Sequence, residues 1–226
     1  MTEYYKHIKT VAALDVAAAR DYSVLSILET WDLMRTDPFE DYPRQISREH
    51  WLVYQERFQG DYPTQVETIV RKLENYTKNE REIPAKPTVQ KTLLIETNGI
   101  GRAIYDITKK KMPGGWRVLG VLLTAGDAVT KTEGVWHINK REIINSLTHA
   151  IDECTLKIPD DLPTRDQLLN EAAGFIRTFT PTGKEQMNSD TEARHDDTII
   201  SLAYCVWYSI FRGDGVQVLH LRGFYP

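Results

Sequence analysis

Thr92 to Glu96 (T-L-L-I-E) is almost continuously apolar and ends on a carboxylate, the pattern of a strand buried on both faces of a largely parallel sheet. Thr10 to Asp15 (T-V-A-A-L-D) has the same shape, and Tyr22 to Glu29 follows it with strand-like composition. The tight A-A-A-R-D link between the last two predicts a hairpin. Aromatic and branched residues in Trp51 to Phe58 predict a third strand, antiparallel to the second, beyond a Pro-containing acidic loop at Asp37 to Pro43. Helical spacing then takes over. Tyr62 to Tyr76 places Val66, Ile69, Val70 and Leu73 on one stripe, and Pro84 and Pro87 break the chain after it.

The second half alternates helix and strand. A helix is expected from about Ile100 to Lys111. The Pro113-Gly114-Gly115 turn leads into a strand over Trp116 to Leu123, which closes a strand–helix–strand unit with an expected right-handed crossover. Ile138 to Ile151 carries Ile143, Ile144, Leu147 and Ile151 on one side, and Leu162 to Phe175 reads as a further helix started by Pro163-Thr164. In Phe179 to Met187 the T-P-T-G stretch is a turn signal between two short extended pieces, and Thr198 to Phe211 is a strongly apolar final helix. No internal repeat or low-complexity tract interrupts the order. It predicts one α/β domain over residues 1–226: a mixed sheet, antiparallel in its first three strands and parallel after them, flanked by helices. That is the order of the RNase H-like arrangement.

Composition narrows the functional classes. With 226 residues and 41% hydrophobic content the chain can build a sizeable core. Cys154 and Cys205 lie far apart, without zinc or disulfide spacing, which suits a reducing compartment. No signal-peptide pattern opens the sequence and no apolar run approaches bilayer length, so a soluble cytoplasmic protein with no membrane partner is expected. A net charge of −4 argues against nucleic-acid binding on average. Carboxylates gathered around cations would reverse that local sign, and basic clusters remain at Arg71-Lys72, Lys109-Lys110-Lys111 and Lys140-Arg141. Each cluster is more often a solvated helix face than a phosphate contact.

The candidate chemistry is therefore acidic. If the strands ending in Asp15 and Glu96 are parallel neighbours, both carboxylates emerge at the sheet edge where open α/β sheets bind ligands. Two such groups repel unless a divalent cation neutralises them, and Mg²⁺ or Mn²⁺, as a pair about 4 Å apart, can activate water against a phosphodiester. Singly, each residue is as readily a turn former or surface charge. Ahead of the last helix stands His195-Asp196-Asp197-Thr198; one Asp can cap the helix while the other binds metal, and helical-face arguments do not separate them. Asp21 is either a supporting ligand or a turn residue, and His195 either orients a ligand or contacts phosphate, against the commoner structural role of a His beside a helix start. Other chemistries lack their signatures. Gly99-Ile100-Gly101 has no third glycine, and neither G-x-x-x-x-G-K-[ST] nor G-x-S-x-G occurs.

On these residues the chain resembles the nuclease domain of the terminase large subunits of viruses such as tailed bacteriophages, which cut and package double-stranded DNA. V-A-A-L-D-V-A-A-A-R-D-Y-S-V is similar to the family's first strand and hairpin, and L-L-I-E-T-N-G-I-G to its second acidic segment. From Trp136 to Trp207, N-K-R-E-I-I-N-S-L, L-K-I-P, Q-L-L-N-E-A-A-G-F and A-R-H-D-D-T-I-I-S-L-A-Y follow the family's order. The resemblance implies two-metal hydrolysis of DNA with Asp15, Glu96 and one of Asp196 or Asp197 as ligands. It also implies a portal, a small terminase subunit and an ATPase motor as partners in the cytoplasm of an infected host cell. The family's ATPase domain precedes the nuclease; here Met1 stands just ahead of the first strand, as in an excised domain or a free-standing subunit. Competing functions are a structure-selective nuclease such as a junction resolvase and a catalytically silent docking module. Ala125 to Trp136 is the candidate for the extended hairpin that the family places beside its site, against an ordinary exposed loop.

Overall fold

The computed structural model describes residues 2–18, 21–39, 42–81, 89–112, 114–126, 128–178 and 196–211. Among the described residues, five helices and eight strands run in the order β1 (Thr2–Asp15), β2 (Ser23–Thr36), β3 (Arg44–Phe58), α1 (Tyr62–Arg81), β4 (Gln90–Glu96), α2 (Gly101–Lys111), β5 (Trp116–Leu123), β6 (Thr130–Thr132), β7 (Val135–Ile138), α3 (Lys140–Asp152), β8 (Leu156–Lys157), α4 (Arg165–Thr178) and α5 (Asp197–Phe211). The strands form one mixed sheet in the order β6-β7-β5-β4-β1-β2-β3-β8. β1, β2 and β3 are antiparallel to one another, and β1, β4, β5 and β7 are parallel. The expected mixed sheet is thus observed.

Because side chains alternate across a strand, each apolar run feeds two cores. Val11, Ala13, Leu94, Leu119 and Val121 face one side, where they pack with Ile143, Ile144 and Leu147 of α3 and with the apolar length of α5. Ala12, Leu14, Leu93 and Ile95 face the other, against Val66, Ile69 and Leu73 of α1 and Ile104 and Tyr105 of α2. Three layers result, helices, sheet, helices. α5 is locked to the sheet by polar contacts as well: the Ser201 hydroxyl donates to the Ala13 carbonyl at 3.0 Å, and the Cys205 thiol to that of Val11 at 3.4 Å.

Several boundaries differ from the sequence expectation. β1 begins at Thr2, β2 runs on to Thr36 and β3 starts at Arg44, so the three strands continue well past the core as an arm. At its tip Phe39 and Tyr42 are exposed. The final helix and the α2 helix fall where periodicity placed them, α3 starts two residues late at Lys140, and α4 runs Arg165–Thr178. β8 pairs only His50 and Trp51 of β3 with Leu156 and Lys157 and was not anticipated. Ala125 to Trp136 does hold a hairpin: β6 pairs antiparallel with β7 through Glu133 and Gly134, both at positive φ (51° and 85°), as a two-residue turn requires. The extended pieces expected over Phe179 to Met187 lie outside the described residues.

One buried titratable group on β3 yields a prediction. His50 is 3% exposed, next to the Thr30 hydroxyl at 3.1 Å, and burial, with help from Lys9 and Arg48, lowers its pKa from 6.5 to about 4. The unfolded chain therefore takes up this proton at a higher pH than the folded one. Stability is intact above 6.5 and falls as pH drops from there toward 4, by about 3 kcal/mol in all. Urea titrations of the parent and His50→Asn across that range should show the parent losing stability relative to the variant as pH falls. Parallel curves would contradict this placement.

Candidate active site

Register brings the predicted acids together. β1 and β4 are parallel with Leu14 beside Ile95, so the next residues, Asp15 and Glu96, stand side by side at the C-terminal ends of adjacent strands. Leu14 and Ile95 belong to the α1/α2 core, so Asp15 and Glu96 point the other way, under α5. The contacts of Ser201 with Ala13 and of Cys205 with Val11 run α5 along β1 so that its N-terminus, with Asp196 and Asp197, arrives at Asp15.

The electrostatics record the convergence. Asp15 has its pKa raised well above 3.8, first by burial, then by the charge of Glu96 and a hydrogen bond between the two, then by Asp197 and Asp196. Tyr204, one face of α5, donates its hydroxyl to Glu96 Oε2 at 3.1 Å. Burial and the charges of Glu96 and Asp15 hold that phenol protonated, its pKa far above 10. Lys140, in the first turn of α3, reaches Asp196 Oδ2 at 2.6 Å, and Arg57 at the end of β3 stands 3.9 Å from Asp197 Oδ2. Asp21 is exposed, and its backbone N–H closes a turn onto Ala18 O at 2.8 Å. His195 lies outside the described residues.

Neither Asp side chain is needed to cap α5, because another residue does so. Glu171 of α4 accepts through Oε2 from Thr198 N at 3.0 Å and Ile199 N at 3.2 Å, and from the Thr198 hydroxyl. These are the donors that an N-cap side chain would satisfy, and a carboxylate also suits the positive end of the helix. Asp196 is left to meet Lys140. Glu171→Ala should lower stability by about 1–2 kcal/mol. A thermal melt at neutral pH within error of the parent's would contradict the capping role.

Two further features hold Glu96 in place. Asn98 bridges to the end of β5, its Oδ1 accepting from Leu123 N at 2.8 Å and its Nδ2 donating to Leu123 O at 3.1 Å. Gly101 starts α2 so close to β4 that a Cβ there would lie 2.0 Å from the Glu96 carbonyl oxygen. Gly99, at φ 53°, turns the chain between them. The Gly99-Ile100-Gly101 segment thus serves close packing around Glu96.

As they stand, no three His, Cys, Asp or Glu side chains among the described residues enclose an ion position. Lys140 and Arg57 engage Asp196 and Asp197, and Asp15 and Glu96 meet each other. The donors themselves are carboxylate oxygens and a phenol, hard ligands suited to Mg²⁺ or Mn²⁺ and not to thiolate-seeking metals.

Sheet order, strand directions and helices packed on both faces define the fold as RNase H-like. The chain superposes on the human cytomegalovirus terminase nuclease domain, Mn-soaked and inhibitor-bound, with TM-score 0.54 and 11% identity over 90% of this chain and 83% of that one. Another structure of the same viral domain gives TM-score 0.52 and 10% identity over 91% and 84%. Thermus thermophilus RuvC aligns only at TM-score 0.36, too loosely to bear on function. No protein-family model and no curated protein sequence matches. Among the described residues no helix is long and apolar enough to cross a membrane.

Proposed function

We propose that this chain is a metal-dependent endonuclease that hydrolyses double-stranded DNA during viral genome packaging, with residues 1–226 as one nuclease domain. The observation that carries the reading is the meeting of Asp15, Glu96 and the Asp196-Asp197 pair at the ends of β1, β4 and the start of α5. The likeness to a terminase nuclease domain supports it, and that domain's manganese soak makes Mn²⁺ a natural partner beside Mg²⁺.

In this reading Asp15 and Glu96 hold the cations, with Asp197 as the third ligand. Asp197 adds to the raised pKa of Asp15 ahead of Asp196, and Lys140 grips Asp196 at 2.6 Å. A bound pair of divalent ions supplies activation of water and stabilisation of the leaving oxygen. Tyr204 orients Glu96, and Lys140 offsets the charge of Asp196. Double-stranded DNA is the substrate; portal, small terminase subunit and ATPase motor are the assembly partners, in the cytoplasm of the infected host cell.

Plasmid incubated with the protein and Mg²⁺ or Mn²⁺ should be cut, and chelation should stop it. Asp197→Asn should lose more activity than Asp196→Asn. Strong preference for four-way junctions over linear duplex would move the reading to a resolvase. Absence of both cleavage and cation binding would leave a docking module.

A further inference from the structure

The row of residues that holds Asp15 continues across the sheet to a cation. Asp15 of β1 pairs with Val24 of β2, and Val24 with Arg57 of β3. Glu96, Asp15, Val24 and Arg57 therefore stand abreast on four adjacent strands, all facing α5, with Arg57 two strand spacings, roughly 10 Å, from Asp15. Gln55, two residues before Arg57 and so on the same face, donates to the Thr198 carbonyl of α5 at 2.9 Å.

The guanidinium is held in place. It lies over the Tyr22 ring at 4.2 Å, and Nη1 donates to Gln167 Oε1 at 3.1 Å. Gln167 is itself fixed, its Nε2 donating to Glu171 Oε1 at 2.7 Å, and Glu171 caps α5. One network thus ties Arg57 to the helix end that carries Asp197. It stands 3.9 Å from Asp197 Oδ2, its side chain is 22% exposed, and its Nε is buried with no hydrogen-bond acceptor among the described residues. A planar fork of donors, stiffened on an aromatic face and partly open to solvent, matches the geometry of a phosphate.

We propose that Arg57 is a phosphate-binding residue of the site, its guanidinium taking a phosphodiester of the strand being cut, with Tyr22 and Gln167 as its positioning residues. This rests on the nuclease reading above. It assigns to the acidic site the cation that a substrate of repeating negative charge needs, in a chain whose net charge is −4.

Binding separates this from a purely structural ion pair with Asp197. Anisotropy of a short fluorescent DNA duplex is followed across a salt series with full-length Asp15→Asn protein, alone and combined with Arg57→Gln, Arg57→Lys or Gln167→Leu. Arg57→Gln should weaken binding roughly tenfold to a hundredfold and reduce the slope of log affinity against log salt by about 0.9. Arg57→Lys should recover the slope but only part of the affinity, and Gln167→Leu should weaken binding with the slope kept. If Arg57→Gln does not fold, the Lys and Leu variants carry the test. Equal affinity and slope in all of them overturns the assignment alone, provided Asp15→Asn protein binds duplex and the parent cuts it. Failure of the parent to bind or cut DNA overturns it together with the nuclease reading.

Discussion

Asp15→Asn should abolish cleavage while making the metal-free protein more stable. Removing a ligand shared by the cations forfeits on the order of 4 kcal/mol of transition-state stabilisation, about a thousandfold in rate. The stability gain follows from the sign of the Asp15 shift. Its folded pKa stands above the unfolded 3.8, so the fold prefers the protonated group; that preference is fully expressed below 3.8 and is lost as pH rises through the folded value. Above 3.8 the metal-free fold must either keep Asp15 protonated or hold its charge buried beside Glu96, Asp197 and Asp196, and both destabilise it; Asn removes that cost. Each kcal/mol relieved raises Tm by about 2–4 °C in a protein of this size. Divalent cation should do the same for the parent: Mn²⁺ at a hundred times its Kd adds about 2.7 kcal/mol, some 5–10 °C, and should leave Asp15→Asn nearly unmoved. Calorimetric scans of both proteins in chelator and in Mn²⁺ measure all four states. A variant less stable than the parent in chelator would contradict the electrostatic account.

Gly101→Ala is the second large effect. A Cβ at 2.0 Å from the Glu96 carbonyl oxygen and 2.9 Å from its carbon meets backbone, which cannot swing aside as a side-chain tip could. α2 must retreat from β4 or Glu96 must move. The expected cost is about 1–3 kcal/mol of stability, with Mn²⁺ affinity reduced about 10–100-fold through displacement of Glu96. Gly126→Ala, where nothing lies within 4 Å, is the control and should be silent. Thermal melts and Mn²⁺ titration would show it; a Gly101→Ala protein with parental stability and affinity would mean that the close approach does not constrain the site.

The core of this fold and two of its acids were legible because burial writes a strong signal. V-A-A-L and T-L-L-I are apolar on successive residues, both faces of those strands are covered, and Val11 to Leu14 and Leu93 to Ile95 are fully buried. A carboxylate directly after such a run has to emerge at the strand end, as Asp15 and Glu96 do. The arm was harder to read. Thr2 to Lys6 and Arg44 to Arg48 lie outside the core, so their alternation reports no buried face, and β8 is two residues long. Glu171, Lys140 and Arg57 were out of reach for another reason. Glu171 caps a helix 27 residues downstream, Lys140 meets an acid 56 residues away, and Arg57 enters the Asp15 row only once the registers of three strands are known. The HDD segment had offered Asp as its own helix cap; a carboxylate from α4 takes that role, which no local pattern encodes.

Crystals of the full chain soaked in Mn²⁺ and measured for anomalous scattering test the central claim most directly. Two peaks about 4 Å apart are expected between Asp15, Glu96 and Asp197, with the Asp15–Glu96 hydrogen bond opened to admit them. Saturating Mn²⁺ with no peak at those carboxylates, or with peaks only elsewhere, would contradict it.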